Sequence, residues 1–237
     1  MSKLKILTNV VISFLLLSIG TLCLAPLDQR VSADVTDREI YRSADERSNA
    51  VSLMFNVYWG EEEVYRILDI LETHGDKATF FIGGCWADDN VECLKTIVSK
   101  GHEIGNHGYF HKDHKTLSAE QNEKEISDCN RFIELATGVK PTLFAPPSGS
   151  YGEKMLSACQ QLNMKTILWT KDTIDWRDKN SSLIYTRATN GIKGGDFVLM
   201  HPMTATADAL GDILKYYEKN GLETLTVSEN LTYEEKT

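Results

Sequence analysis

The sequence is short of the features that mark several special classes of protein. Its 237 residues include only 5 prolines and 16 glycines, which excludes collagen-like and low-complexity chains. The 5 cysteines are too few and too widely spaced for a disulfide scaffold or a structural zinc site, and we expect free thiols. Basic residues are outnumbered, with 25 Lys and Arg against 34 Asp and Glu, so we expect no nucleic-acid partner. No glycine-rich phosphate loop follows any apolar segment.

The N-terminal segment has the pattern of an export signal. Lys3 and Lys5 precede an apolar run from Ile6 to Ala25, and Val31-Ser32-Ala33 places small residues where a signal peptidase cuts. The alternative is an uncleaved anchor, because about 20 apolar residues can span a bilayer. In either case the protein is predicted to be exported, as a secreted, wall-associated or membrane-tethered chain. Only this segment, if uncleaved, would contact a membrane.

Residues 1–33 are therefore assigned to a signal peptide or anchor, 34–47 to a short linker, and 48–237 to one domain. Within this domain, short β-branched or aromatic segments alternate with segments of helical period. Roughly seven such units predict parallel strands joined by right-handed crossovers, in either a β/α barrel or an open doubly wound sheet. Because no nucleotide-binding loop follows a strand, we favour the α/β barrel.

Polar side chains follow most of the predicted strands. In β/α barrels the functional site is built from loops at the carboxyl ends of the strands, so these side chains are expected to meet. They are Asn56, then His107 and His111, then Pro146-Pro147-Ser148-Gly149, then Asp172 with Asp175 and Trp176, and finally His201. The sequence therefore predicts a catalytic or binding cleft at this end of the barrel.

The two histidines of Asn106–His111 suggest a metal site. Imidazoles four residues apart share one side of a helical turn and can hold one divalent ion at about 2.1 Å. Asp113 and His114 are candidates for further ligands, and neutral imidazoles favour zinc, with cobalt and manganese as alternatives. A bound metal of this kind activates water and polarises a carbonyl, which indicates hydrolysis.

A second group must then protonate the leaving nitrogen. His201 reaches the cleft from another strand, and imidazole is the side chain best suited to proton transfer at neutral pH, so it is the candidate acid. Either Asp172 or Asp175 would orient it. Trp176 and Trp59 offer flat apolar faces on which a sugar ring can stack.

Six segments together resemble one known family. They are Val51–Asn56, Ala78–Phe81, Gly101–His107 with His111, Pro146–Gly149, Asp172–Trp176 and Leu199–His201. On these segments the chain resembles the polysaccharide deacetylases of the NodB-homology type, carbohydrate esterase family 4, and in particular their sporulation-associated Gram-positive branch. The resemblance implies a distorted (β/α)7 barrel. It also implies removal of acetyl groups from a cell-wall or chitin-like glycan, with peptidoglycan favoured, by means of a divalent metal held by one Asp and two His.

Carried over by position, the family pattern makes His107 and His111 metal ligands, His201 the general acid and Asp175 its partner carboxylate. The acetyl pocket and groove would be lined by Trp176, Leu199, Tyr151, Trp59 and Pro147. The first motif departs from the family, which has two successive aspartates, a base and a metal ligand. Here these positions are Asn56 and Val57, and Ala145 replaces the arginine that braces the base.

Two explanations fit these departures. In the first, which we favour, the site is a rebuilt deacetylase in which Asn56 is a weak carbonyl ligand and His114 or Asp113 completes the metal shell. The base is then Glu61, Glu62 or Asp172. In the second, the chain is catalytically inactive and binds the acetylated glycan without cleaving it, because an amide accepts no proton at neutral pH and valine ligates no metal.

Overall fold

A curled parallel β-sheet forms the framework of the protein. The computed structural model describes residues 40–232. The strand order is β1-β6-β5-β4-β3-β2-β8-β7, with β9 added beside β2, and every pairing between these strands is parallel. The strands are β1 Ile40–Tyr41, β2 Ala50–Val57, β3 Thr79–Ile82, β4 Glu103–Asn106, β5 Leu143–Phe144, β6 Lys165–Ile167, β7 Lys171–Asp172, β8 Phe197–Met200 and β9 Glu223–Thr224.

Helices cover the outer face of this sheet, which confirms the predicted parallel β/α architecture in the form of an incompletely closed barrel. They are α1 Glu61–His74, α2 Gly84–Asp89, α3 Val91–Ser99, α4 Ala119–Thr137, α5 Glu153–Gln161, α6 Asp175–Asp178, α7 Ser181–Thr189, α8 Thr204–Lys219 and α9 Val227–Leu231, with a 3-10 turn at Pro147–Gly149. Ser118 and Gln121 form a capping box at the start of α4.

The central strand β2 separates two apolar layers. All eight of its residues are buried. Leu53, Phe55 and Val57 belong to the outer layer that packs against the helices, whereas Met54 packs in the barrel interior. Because successive side chains of a strand point to opposite faces, the interior face of β2 also carries Asn56, at the carboxyl end of the strand.

The opposite end of the barrel is closed by α9. Asn230 is fully buried there; it accepts a hydrogen bond from the Ser48 hydroxyl at 2.8 Å and donates one to Ser52 Oγ at 3.0 Å. Strand β9 ends at Thr224. Thr226 caps a helix through its own capping box with Glu229, so the chain turns after Thr224 and plugs the barrel.

The predicted linker over 34–47 was also wrong at its C-terminal end. Ile40 and Tyr41 form β1, which pairs with β6, and Ser43 bridges to Asp196. The fold thus includes residues before 48. A strand of only two residues is stabilised by its partner rather than by a local pattern, so periodicity could not reveal it.

The predicted signal peptide or anchor at 1–33 lies outside the described residues. Within residues 40–232 no helix is both long and apolar enough to cross a membrane. Cys85, Cys93, Cys129 and Cys159 are free thiols, and all but Cys85 are buried. Burial raises the pKa of Cys93 and of Cys159 to about 12, so these two thiols stay protonated and inert at neutral pH.

One buried histidine outside the cleft makes stability depend on pH. His102 accepts the N–H of Ala78 at 3.3 Å, and burial, reinforced by the charges of Lys77 and Lys100, lowers its pKa from 6.5 to about 4. The unfolded chain takes up a proton below pH 6.5 while the folded chain does not. We therefore expect the free energy of unfolding to fall by up to about 1.4 kcal/mol per pH unit between those values on this account.

Urea unfolding at pH 7, 6 and 5 measures this dependence. His102→Gln retains a hydrogen-bond acceptor and removes the titration, so its stability should fall less steeply with acid than that of the wild type. Equal slopes for the two proteins would show that His102 is not responsible.

Candidate active site

A cleft of about 360 Å³ lies at the carboxyl ends of the strands, where the sequence placed it. Its lining residues are Asn56, Trp59, His107, His111, Ser148, Trp169, Asp172, Trp176, Leu199 and His201. A larger groove of about 570 Å³ runs along the outside of α7 and α8 and has no histidine in its lining. The chemistry-bearing side chains therefore meet in the cleft and not in the larger groove.

His201 and Asp175 form a hydrogen-bonded pair in which both carboxylate oxygens have partners. His201 Nδ1 lies 2.7 Å from Asp175 Oδ1. The other carboxylate oxygen accepts the His201 backbone N–H at 2.6 Å and the Thr206 hydroxyl at 2.7 Å. Asp175 is completely buried. Because a carboxylate only accepts, the proton is held on Nδ1 and Nε2 is left for a ligand in the cleft.

Trp59 covers one face of this imidazole. The two rings are stacked, with centroids 5.6 Å apart and planes at 7°, and the indole Nε1 lies 3.2 Å from Met203 Sδ. The next residue, Gly60, has φ 76°, and a Cβ there would lie 2.4 Å from the carbonyl oxygen of Pro202. Only glycine fits this close approach to Pro202. The approach brings the segment that carries Trp59 next to His201.

His107 and His111 are arranged as two ligands of one ion would be. The Nδ1–H of His107 donates to the Ala145 carbonyl at 2.7 Å, so its Nε2 is free, as in many metal-binding histidines. The two ring centroids are 5.0 Å apart at 69°. A tetrahedral ion at about 2.1 Å from each nitrogen separates two ring centres by roughly 5 Å. This spacing fits a shared divalent metal.

Both imidazoles are neutral at neutral pH. Burial, with a smaller contribution from the neighbouring His111, lowers the pKa of His107 to about 3. Burial also lowers the pKa of His111. Because metals bind the neutral ring, protons compete for these two nitrogens only in acid.

Neither of the side chains predicted from the sequence as a third ligand, His114 or Asp113, lines the cleft. His114 is buried outside the cleft lining, with Nδ1 2.7 Å from Asn122 Oδ1. Asp113 is exposed and accepts the Ser150 hydroxyl at 2.5 Å. Across residues 40–232, no three His, Cys, Asp or Glu side chains are grouped to share an ion.

Asn56 lines the cleft together with the two imidazoles. It is 3% exposed, and its Oδ1 has no hydrogen-bond partner in the described part of the chain. An orphaned buried oxygen in the cleft is suited to a metal or to a ligand N–H. Val57, by contrast, packs in the outer layer, so its position does not face the cleft. Two imidazole nitrogens and one amide oxygen are thus the donors that fit a metal.

Other predicted residues are divided between the cleft and its surroundings. Trp176, Leu199 and Asp172 line it, and Asp172 Oδ1 accepts the Ile174 N–H at 2.8 Å. Tyr151, Pro147, Glu61 and Glu62 are not among the lining residues. The hydroxyl of Tyr151 accepts a hydrogen bond from Arg42 at 3.3 Å, and Pro147 is buried.

Of two further lining residues, Ser148 belongs to the segment that the sequence placed at the cleft, whereas Trp169 was missed. Ser148 has φ 56°, an unusual value for a residue with a side chain, and it lies in the Pro-Pro turn that marked this loop. The ring of Trp169 packs on Gly149, where a Cβ would come within 2.8 Å of it.

Comparison with known proteins identifies the class to which this fold and site belong. The family model for polysaccharide deacetylase matches residues 43–167, which is more than half of the chain. The chain therefore belongs to the polysaccharide deacetylase family, hydrolases that act on C–N bonds other than peptide bonds. Its fold is the (β/α)7 fold of that family, as the resemblance implied.

Three relatives illustrate the range of the family. The uncharacterized protein YlxY of Bacillus subtilis is 40% identical over 76% of this chain, which spans 56% of the length of YlxY. A peptidoglycan-N-acetylglucosamine deacetylase of Bacillus cereus is 33% identical over 71% of this chain and 81% of its own. The crystal structure of BA3943 from Bacillus anthracis, described as a CE4 family pseudoenzyme, has TM-score 0.80 and 37% identity and covers 82% of this chain and 69% of its own. A mutant of BA3943 is described as having restored enzymatic activity.

Proposed function

We propose that this chain hydrolyses the N-acetyl group of an N-acetylated glycan, with peptidoglycan as the first candidate substrate and chitin-like oligomers as the second. We place this reaction outside the cytoplasm because of the export pattern at the N-terminus. One observation carries the proposal. The His201–Asp175 pair is complete and faces a cleft with two neutral imidazoles, a set of groups that a cleft serving only to bind sugar does not need.

The proposed acid step uses Nε2 of His201. The leaving amine needs a proton when the C–N bond breaks, and a protonated imidazole in the cleft can deliver it. Asp175 keeps the ring in one orientation and stabilises its charged form through the 2.7 Å contact. Trp176, half exposed at the rim of the cleft, and Trp59 provide flat faces for sugar rings.

A divalent metal, with zinc favoured, would be held by His107, His111 and the amide oxygen of Asn56. When bound, such an ion polarises the acetyl carbonyl and activates water. The protein contributes the two neutral imidazoles, with the His107 ring fixed by the Ala145 carbonyl. An amide oxygen is a weaker ligand for zinc than a carboxylate, so we expect weaker binding than an Asp-His-His set provides.

We expect His107→Ala and His111→Ala each to abolish stoichiometric zinc binding, because a single imidazole with one amide oxygen cannot retain the ion. Titration calorimetry, with metal content determined on the same samples, measures this. His74→Ala, at the C-terminal end of α1 and remote from the cleft, is the control. One equivalent of zinc retained by both cleft variants would eliminate the proposed site.

A second candidate function is recognition of the acetylated glycan without hydrolysis. It is favoured by one specific observation, that the base position is Asn56, whose amide cannot take a proton from water. The description of BA3943 as a pseudoenzyme supports it by similarity. The description of a BA3943 mutant with restored enzymatic activity supports the idea that mutation can convert one function into the other.

Acetate release separates the two candidates. The chain from residue 34 onward is incubated with peptidoglycan or chitin oligomers and with zinc, cobalt or manganese, and acetate is quantified. Slow metal-dependent release is expected because the acid is intact while an amide occupies the position of the base. Glycan binding with no acetate in any metal would refute hydrolysis and establish the second function.

A further inference from the structure

One buried carboxylate, that of Glu125, accepts hydrogen bonds from the turn that carries His107 and His111. Glu125 lies in the first half of α4 and is 5% exposed. Its Oε2 accepts the backbone N–H of Tyr109 at 3.1 Å and of Phe110 at 2.8 Å. These two residues lie between His107 and His111, so both hydrogen bonds fall on the segment that joins the two imidazoles.

The other oxygen of the Glu125 carboxylate forms an ion pair. Its Oε1 lies 2.8 Å from Lys112 Nζ, whose side chain is half exposed. Lys112 follows His111 directly, so the same carboxylate contacts the chain before and after that histidine. A buried carboxylate needs this set of charge-assisted hydrogen bonds to offset its lost hydration.

The start of the turn is fixed independently, by Asn106. Its Oδ1 accepts the N–H of Gly108 at 2.7 Å, and its Nδ2 donates to the Ile126 carbonyl at 2.8 Å and to Asn130 Oδ1 at 2.7 Å. The carbonyls of Gly108 and Tyr109 accept from Gly84 and Cys85. Among these contacts, the backbone N–H groups in the middle of the turn have Glu125 as their acceptor.

This turn has a backbone that needs support. Gly108 has φ 76° and His111 has φ 51°. A residue with a side chain held in the left-handed region costs free energy and persists only when its surroundings impose it. The contacts of Glu125 on Tyr109, Phe110 and Lys112 surround His111 on both sides, so they are placed to impose this conformation.

We infer that Glu125 is a positioning residue for the cleft: it fixes the His107–His111 turn in the conformation that brings both imidazoles together. What the imidazoles then bind rests on the proposed function, but the placement itself does not. No motif in the sequence indicates this role, because nothing distinguishes Glu125 from the other acidic residues of an amphipathic helix.

Three variants test the inference. Glu125→Ala removes both acceptors, whereas Glu125→Gln keeps one side-chain oxygen that can still accept the two N–H groups. Glu103→Ala is the matched control. Glu103 is a half-buried carboxylate at the opposite end of the same sheet, and it accepts the Thr79 hydroxyl at 2.7 Å and the Ser228 N–H at 3.2 Å.

The first readout does not depend on any ligand. Amide hydrogen exchange is measured at Tyr109 and Phe110, and the imidazole NMR signals of His107 and His111 are compared with those of His74 and His102. Glu125→Ala should speed exchange at the two amides by roughly tenfold or more and shift the signals of His107 and His111 while those of His74 and His102 stay unchanged. Glu125→Gln should restore most of both. Unchanged cleft signals in a folded Glu125→Ala protein would overturn the inference.

The second readout is binding of zinc alone and of an N-acetylglucosamine tetramer alone. We expect Glu125→Ala to weaken zinc binding by about 10- to 100-fold, as loss of a group that orients metal ligands does, and Glu103→Ala to leave it unchanged at a similar loss of thermal stability. Equal weakening by both variants would reduce Glu125 to a general stabilising role and overturn the inference. If the wild type binds neither probe, the proposed function fails while the exchange and NMR comparison still decides the role of Glu125.

Discussion

Replacing Asn56 with aspartate raises acetate release from an N-acetylated glycan by about 100-fold or more, the usual contribution of a general base. The amide oxygen of Asn56 is buried in the cleft without a partner in the described residues, so a carboxylate oxygen occupies the same space. A carboxylate at this position can take a proton from water, which the amide cannot. The measurement is the initial rate of acetate release at saturating zinc.

Two further variants show where the base resides. Asn56→Ala removes the oxygen and gains no carboxylate, so it should not raise the rate. Asp172→Asn removes the carboxylate that lines the cleft. If Asn56→Asp fails to raise the rate and Asp172→Asn abolishes it, the base is Asp172 and the site is rebuilt.

Adding Val57→Asp to Asn56→Asp should not increase the rate further. Val57 is fully buried and belongs to the layer between β2 and the outer helices. A carboxylate at this position would be buried among apolar side chains without a partner, and such burial destabilises the folded state. A higher rate with intact stability would show that β2 shortens and turns this side chain into the cleft.

The second large effect concerns the acid. In the Asn56→Asp background, where turnover can be measured accurately, His201→Ala lowers kcat by about 100- to 10,000-fold. Affinity for the glycan is expected to change little, because the tryptophan faces and His107 remain. Kinetics of acetate release give kcat and KM, and binding of the glycan is measured separately.

Asp175→Asn sharpens this test. An amide at this position can donate to Nδ1, which reverses the tautomer of His201 and removes the proton from the side that faces Asp175. The variant should lose most of the rate that His201→Ala loses. If both variants instead weaken glycan binding in proportion to the rate, His201 is a binding group and not the acid.

Much of the site could be predicted from the sequence because parallel strands bring their carboxyl ends to one edge. That rule alone groups Asn56, His107, His111 and His201, and the structure places all four around one cleft. It fails for residues whose role depends on loop conformation. Tyr151 and Pro147 are displaced from the lining, and Ser148 enters it, because the turn at 147–149 includes a left-handed serine.

The sequence alone also could not predict which face of β2 carries Val57, or that the sheet includes β1 and β7. The motif places Val57 where the family has a metal ligand, but β2 remains paired with β3 through Val57 and Ile82, so the strand alternation turns this side chain outward. Similarly, β1 and β7 have two residues each. Such strands arise from tertiary pairing, which leaves no period to detect.

The unpartnered oxygen of Asn56 has a meaning for the evolution of this lineage. Asparagine and aspartate codons differ at one base, and the two side chains have nearly the same shape, so exchange between them leaves the surrounding packing unchanged. The acid side of the cleft, carried by β8 and α6, is built separately from the base side, carried by β2. On the proposed function, one nucleotide substitution at this codon would therefore change turnover while the His201–Asp175 pair stays as it is.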